Sequence, residues 1–369
     1  MEVAAPDSDA SAPPLNARGS LPSRMRPRLA LWSQRTRTAR IPKASVRWSC
    51  TPKRTAAPTR VWGRDPERSA EIAECRENRK YLAGVELPEE LSFTADPHAA
   101  SDGATLALSV VPTQHLRATL VRFEDALGAA VPVVSASKGL EVESFRTPTQ
   151  ILTDVLGARP TCVLTGPSHA EEVAKGLPAS LVACSEDLGL AERVQAALSS
   201  ESLRVYTHGD ARGAELAAAL KNVIALAAGI CDGLGLGDNA KAALITRGVV
   251  EMSRFGRTRG AHPETFFGLA GIGDLMTTCF SPHSRNRAVG EAIGRGETLD
   301  EVLGRMHMVA EGVWTVRALF GPEAESAGTS MPIAEQVFAC LFESKDPRTA
   351  VSDLMSRSPR EELSGVLEA

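Results

Sequence analysis

The sequence predicts an α/β fold in which a mostly parallel sheet layered by helices is followed by an all-helical domain. Three observations predict it. Short apolar runs of strand length alternate with helical stretches from Val61 to Thr207, the pattern of parallel strands joined by helical crossovers. After Gly209 the strand signal stops, and the later segments have helical texture. The chain is 369 residues long, 43% hydrophobic and 23% charged, which is enough for two sizeable cores.

Residues 1–60 stand apart from this pattern. They hold 12 Lys and Arg against 3 Asp and Glu, a net +9, whereas the remainder holds 29 against 42 and is net −13. No Asp or Glu occurs from Ala10 to Arg64, and no apolar repeat of helix or strand period persists there. The segment is therefore expected to be an anomalous basic leader, disordered or poorly folded. An organelle transit peptide, a basic arm for nucleic acid and a stretch replacing ordinary folded sequence are the competing readings.

From Val61 onward each element has a local cause. Val61-Trp62 ends a strand, and Asp65-Pro66-Glu67 opens a helix with an N-cap, a proline at the first helical position and early acid. Residues 105–111 read as an apolar strand stopped by Pro112. Strands over 131–135, 161–165, 180–184 and 203–207 follow, with helices over 146–156 and 187–199 among them. Residues 213–230 are helical by propensity and apolar on nearly every face, interrupted mainly by Glu215, Lys221 and Asn222, so this helix belongs inside a bundle. Helices over 240–256, 287–295, 299–305, 311–319, 332–343 and 347–356, joined by Gly- and Pro-containing turns, complete it.

Several function classes are disfavoured at this stage. No run of about 18 apolar residues lacks a charge, which argues against a membrane span. Seven cysteines without a CxxC pair argue against a disulfide framework, and the seven histidines show no metal-ligand spacing, so no metal is expected. Lys221 is the sharpest chemical feature, because burying an ammonium makes it shed its proton more easily or find a partner. It is either a general base or a lysine that snorkels out at the helix edge. Lys138 follows a strand directly, at the sheet end where ligands bind in such folds. Gly166 and Ser168 also follow a strand and suit a phosphate or hydroxyl ligand. Asp274 adds a carboxylate acceptor. Ser284-Arg285-Asn286 precede a helix and can hold a phosphate, although helix capping alone would explain the serine.

Read together, SASKGLE (135–141), LTGPSHAEEVAKGLP (164–178), LKNVIALAAGICDGLGLGDNAKAALITRG (220–248), TFFGLAGIGDLMTTC (265–279), SRNRAVG (284–290) and VAEGV (309–313) closely resemble the bacterial-type NAD(P)-dependent glycerol-3-phosphate dehydrogenases. The resemblance runs from about Val61 to the last helix. It implies a Rossmann-like cofactor domain over 61–208 and an all-helical substrate and catalytic domain over 209–369. It implies interconversion of sn-glycerol 3-phosphate and dihydroxyacetone phosphate for phospholipid synthesis, in a cytoplasmic homodimer needing neither nucleic acid nor membrane. By position in the motifs, Lys221 matches the catalytic proton acceptor, with Asn222 beside it. Lys138, Gly166, Ser168, Asp274, Ser284, Arg285 and Asn286 match substrate-binding positions. Arg64, Lys138, Ala170, Arg285, Val309 and Glu311 match cofactor positions. Arg64 suits the 2′-phosphate of NADP, with NAD tolerated.

One motif of the family is absent. Its first strand leads into a glycine-rich turn of the form GAGSWGTALA that holds the cofactor pyrophosphate. Here the only glycine before Trp62 is Gly19. The preferred explanation is a shifted reading frame or wrong start upstream of Val61. The alternative functional reading is a catalytically silent relative that binds a phosphorylated metabolite.

Overall fold

The computed structural model describes residues 29–33 (backbone only), 58–306, 308–322, 324, 329–359 and 361–362. Its strands are β1 (Leu29–Ser33), β2 (Thr59–Gly63), β3 (Glu77–Asn78), β4 (Leu82–Glu86), β5 (Leu91–Thr94), β6 (Leu106–Ser109), β7 (Val133–Ser135), β8 (Thr161–Thr165), β9 (Ala179–Cys184) and β10 (Leu203–His208). Helices α1 (Pro66–Cys75), α2 (Pro97–Ser101), α3 (Thr113–Leu120), α4 (Pro148–Leu156), α5 (Ala170–Ala174) and α6 (Leu188–Leu198) lie among them. The C-terminal half contributes α7 (Ala211–Leu234), α8 (Gly237–Arg257), α9 (Asp274–Phe280), α10 (Arg285–Gly294), α11 (Leu299–Arg305), α12 (Glu311–Leu319), α13 (Pro332–Phe342) and α14 (Pro347–Met355).

The main sheet has the order β10-β9-β8-β7-β6-β1-β2-β5, and β3 pairs with β4 in a separate hairpin. All neighbours in the main sheet run parallel except β8 and β9. The central strands β6 to β9 are mostly apolar and buried, whereas the outer strands β2, β5 and β10 mix polar residues in, and the buried side chains divide into clusters around Trp62, Phe123 and Ile151 and around Leu106, Val134 and Leu181.

The expectation that residues 1–60 are disordered or poorly folded meets two exceptions, Thr59 and Arg60 at the start of β2 and Leu29–Ser33 as β1. Leu29–Ser33 runs as β1 in the interior of the sheet, parallel to β2 on one side and β6 on the other. A five-residue strand is too short for periodicity to reveal, and main-chain pairing on both edges accepts almost any side chains. The other residues expected to be disordered, 1–28 and 34–57, lie outside the described residues. The expectations also lacked β3 to β5, α2 and α3. Glycine- and proline-interrupted segments of two to eight residues carry too few turns to show a period.

Helix α7 organises the second half. Asp210 caps its start by accepting from Gly213 N at 2.8 Å, and Gly235 ends it in the left-handed region. The helix is long and apolar enough to cross a membrane, yet its apolar window is wholly buried inside the protein. Two devices tie it to the rest. Buried Glu215 accepts from Thr149 N at 2.8 Å, capping α4 from the other half of the molecule, and Asp210 accepts from Thr265 Oγ1 at 2.6 Å.

α7 and α10 cross with backbones in contact. A Cβ on Gly290 would lie 1.9 Å from Leu226 O, and one on Gly229 would lie 2.0 Å from Arg287 O. Gly290→Ala must therefore push the helices apart, at a cost of about 3 kcal/mol. Its thermal midpoint is expected to fall by roughly 6–10 °C by calorimetry. Gly304→Ala on α11, where nothing stands within 4 Å of the added carbon, leaves the midpoint unchanged or slightly raised.

Candidate active site

Lys221 projects from α7 and is only 5% exposed. Its Nζ donates to Asp274 Oδ1 at 2.8 Å and to Thr278 Oγ1 at 2.6 Å. The snorkelling alternative is thereby excluded. Asp274, 3% exposed, begins α9 directly after a π-helical turn, Leu269–Gly273. Its other oxygen accepts from Lys138 Nζ at 2.6 Å, with Thr165 Oγ1 at 3.4 Å. Lys138 stands just beyond β7 and Thr165 ends β8, so the carboxylate joins the sheet's carboxyl edge to the helical half.

Two ammonium groups share one carboxylate, and burial with this charge pattern sets the acidity of Lys221. Burial lowers Lys221 to about 8, with Lys138 pushing the same way and Asp274 opposing. For Asp274, burial alone would push the carboxyl up, but Lys138 and Lys221 outweigh it and hold it below its ordinary range. The result is an amine able to give or take a proton near neutral pH.

A second chain of contacts leads away from Lys221. Asn286 Nδ2 donates to Asn222 Oδ1 at 3.0 Å, and Gly312 N donates to Asn286 Oδ1 at 2.9 Å. Ser284 is the N-cap of α10, its Oγ accepting from Arg287 N at 3.2 Å, as the capping alternative expected. Arg285 Nη1 donates to Val309 O at 2.6 Å. Gly166 has φ 128°, and a Cβ there would lie 3.0 Å from Ser180 O. Ser168 Oγ donates to Gly166 O at 3.1 Å. Of the expected positions, Lys138 and Lys221 meet on Asp274, Asn222 meets Asn286, Arg285 meets Val309, and Ser168 meets Gly166. Arg64 and Ala170 differ: both are exposed, just past β2 and at the first residue of α5.

The carboxyl ends of β6 and β7 present unpaired polar atoms. The hydroxyls of Ser109, Thr113 and Ser135 are buried without partners. Both Glu311 oxygens also lack a hydrogen bond of normal geometry, although the Thr113 amide faces them. Burial pushes Glu311 up to about 7 against the pull of Arg285. Gly139, at φ 133°, leaves a space whose missing Cβ would lie 3.0 Å from Glu311 Oε2 and 3.2 Å from Thr113 Oγ1. Orphaned groups around a glycine cradle fit a polar ligand such as the ribose and amide end of a dinucleotide.

Sequence reasoning missed Thr278, Thr165 and the Asn222–Asn286 link. The Asp274–Thr278 spacing of four on one helix face was a usable signal for the first. Nothing local marks the others. Among the described residues, no three His, Cys, Asp or Glu side chains gather to hold a metal.

A doubly wound sheet whose carboxyl edge meets a buried, acidified lysine from a helical half defines a two-domain, nicotinamide-dependent dehydrogenase. The family model described as NAD-dependent glycerol-3-phosphate dehydrogenase N-terminus matches residues 49–191, and that of its C-terminus matches 210–352. The chain belongs to this family. It is 47% identical over 305 residues to a glycerol-3-phosphate dehydrogenase (NAD(P)+) of Chlorobium phaeobacteroides, covering 82% of this chain and 91% of the relative. A Geobacter metallireducens enzyme of the same name is also 47% identical, with the same coverage. The crystal structure of glycerol-3-phosphate dehydrogenase from Coxiella burnetii superposes with a TM-score of 0.81 at 32% identity, covering 90% of this chain and 99% of that one.

Proposed function

We propose that the chain interconverts sn-glycerol 3-phosphate and dihydroxyacetone phosphate with NADP or NAD, and that Lys221 is its proton carrier. The observation that carries this is the buried Lys221 amine held against Asp274 and Lys138. When bound, the nicotinamide supplies or takes up the hydride. In oxidation, neutral Lys221 removes the proton of the secondary hydroxyl as the carbonyl forms, and in reduction its ammonium returns that proton to the oxygen. Lys138 adds positive charge beside the same oxygen, which favours both the alkoxide-like transition state and an anionic substrate. Ser284, Arg285 and Asn286 at the start of α10 take the substrate phosphate, with Gly166 and Ser168 closing the opposite side. Asn222 orients Asn286 from α7, the helix that carries the base. Glu311, Val309, Ala170, Arg285, Lys138 and Arg64 line the cofactor.

The oxidation of NADPH by dihydroxyacetone phosphate, followed at 340 nm, tests this reading. Because oxidation needs neutral Lys221, its kcat/KM rises with pH and levels off above about 8. Reduction needs the ammonium, so its kcat/KM is flat at lower pH and falls above about 8. Parallel limbs in the two directions would refute the assignment.

The missing glycine turn favours the silent-relative reading to the extent that cofactor binding is weakened. No glycine occurs from residue 34 to residue 58, the stretch between β1 and β2. Replacing 34–57 with a glycine-rich turn that presents free amides is expected to tighten NADPH binding by about 10- to 100-fold in a fluorescence titration. Equal affinities would show that the turn is dispensable. Assembly as a homodimer, residence in the cytoplasm and supply of glycerol backbones for phospholipids complete the proposal.

A further inference from the structure

His169 sits between Ser168 and Ala170 in the turn after β8, directly before α5. Its ring lies 6.0 Å from that of His283, the residue before the α10 cap. On one side it bonds the backbone of Thr277 on α9, and it feels the charges of both Lys221 and Asp274. The ring thus lies against α9, near the residue that precedes the α10 cap and within the electrostatic reach of the proton carrier. Its Nε2 is buried and has no partner.

The tautomer follows from the contact that is made. An imidazole whose Nδ1–H donates to the Thr277 carbonyl leaves Nε2 as a bare acceptor, and burial keeps the ring neutral. A buried acceptor without a donor calls for a ligand group. The substrate offers few donors: a phosphate dianion has none, and the secondary hydroxyl is directed to Lys221. The primary hydroxyl on the carbon opposite the phosphate remains.

We propose that His169 is a specificity-determining residue whose Nε2 accepts a hydrogen bond from the primary hydroxyl of the three-carbon substrate. The inference rests on the reaction proposed above. It explains how the cleft distinguishes a hydroxymethyl group from a methyl group: without the hydroxyl, Nε2 stays buried and unpaired.

The test compares dihydroxyacetone phosphate with 2-oxopropyl phosphate, which lacks only that hydroxyl. The unaltered chain is expected to favour the hydroxylated substrate by about 100-fold or more in kcat/KM. In His169→Phe, efficiency on dihydroxyacetone phosphate falls by a similar factor while that on 2-oxopropyl phosphate changes by less than about 3-fold, so the preference collapses. His169→Gln retains an acceptor and keeps an intermediate preference, which gives a second reading if the phenylalanine variant folds poorly. Equal losses on both substrates would overturn the proposal and place the ring at the phosphate or in a purely structural role. No turnover of dihydroxyacetone phosphate by the unaltered chain would instead defeat the underlying reaction assignment.

Discussion

Lys221→Met abolishes turnover while leaving the fold intact. Loss of a positioned general base removes about 10³- to 10⁴-fold from kcat. Methionine fills similar space in the apolar helix without burying a charge. Asp274 keeps its bond to Lys138 at 2.6 Å, so no carboxylate is stranded. The thermal midpoint should move by only a few degrees and NADPH affinity by less than about 3-fold, since the base acts on the substrate oxygen. Any residual rate should lose its limb near 8, because the titrating amine is gone. A variant retaining more than a tenth of kcat would remove Lys221 from the mechanism.

Asp274→Ala has the second large effect, on stability as well as rate. It strands the buried Lys221 ammonium and removes the partner of Lys138, and breaking such a buried pair costs about 3–5 kcal/mol. The expected fall in thermal midpoint is roughly 6–15 °C. Asp274→Asn keeps the shape and separates charge from volume. Without the carboxylate, Lys221 loses the attraction that opposes burial, and its pKa drops below about 8. The reductive kcat/KM then begins to fall at lower pH, and the oxidative limb moves the same way. The linkage has the sign of a depressed acid. Asp274 stabilises the fold fully above its ordinary carboxyl range and loses that contribution as pH falls through its lowered folded value. An asparagine variant that is as stable as the parent at neutral pH, with an unmoved limb, would show that the pair is not coupled.

Most of the framework was legible along the chain. Asp65-Pro66 did cap α1, and the strand at 161–165 has the expected bounds. The apolar face pattern of 213–230 did mark the buried helix, which extends to Ala211–Leu234 because Asp210 and Gly235 supply the caps. The short elements β3 to β5, α2 and α3 were not legible, since their pairing and docking depend on neighbours distant in sequence, whereas the strand over 105–111 was read and is β6. The same limit hid Thr165, which meets Asp274 across 109 positions.

Residue order alone sufficed for the longer strands and helices, the caps of α1 and α10, the change from sheet to bundle at Gly209, and the motifs that carry the family membership. These depend on side-chain periodicity and on hydrogen bonds spanning three or four residues. The docking of α7 against the carboxyl edge of the sheet settled the rest. It buries Lys221, brings Asp274 to it from 53 positions away, and sets Lys138 on the other oxygen from 136 positions away. An amine's acidity depends on what surrounds it in space, and no local pattern encodes that surrounding. Main-chain pairing likewise sets Leu29–Ser33 inside the sheet, because backbone groups bond by position and are indifferent to the texture of the segment that carries them.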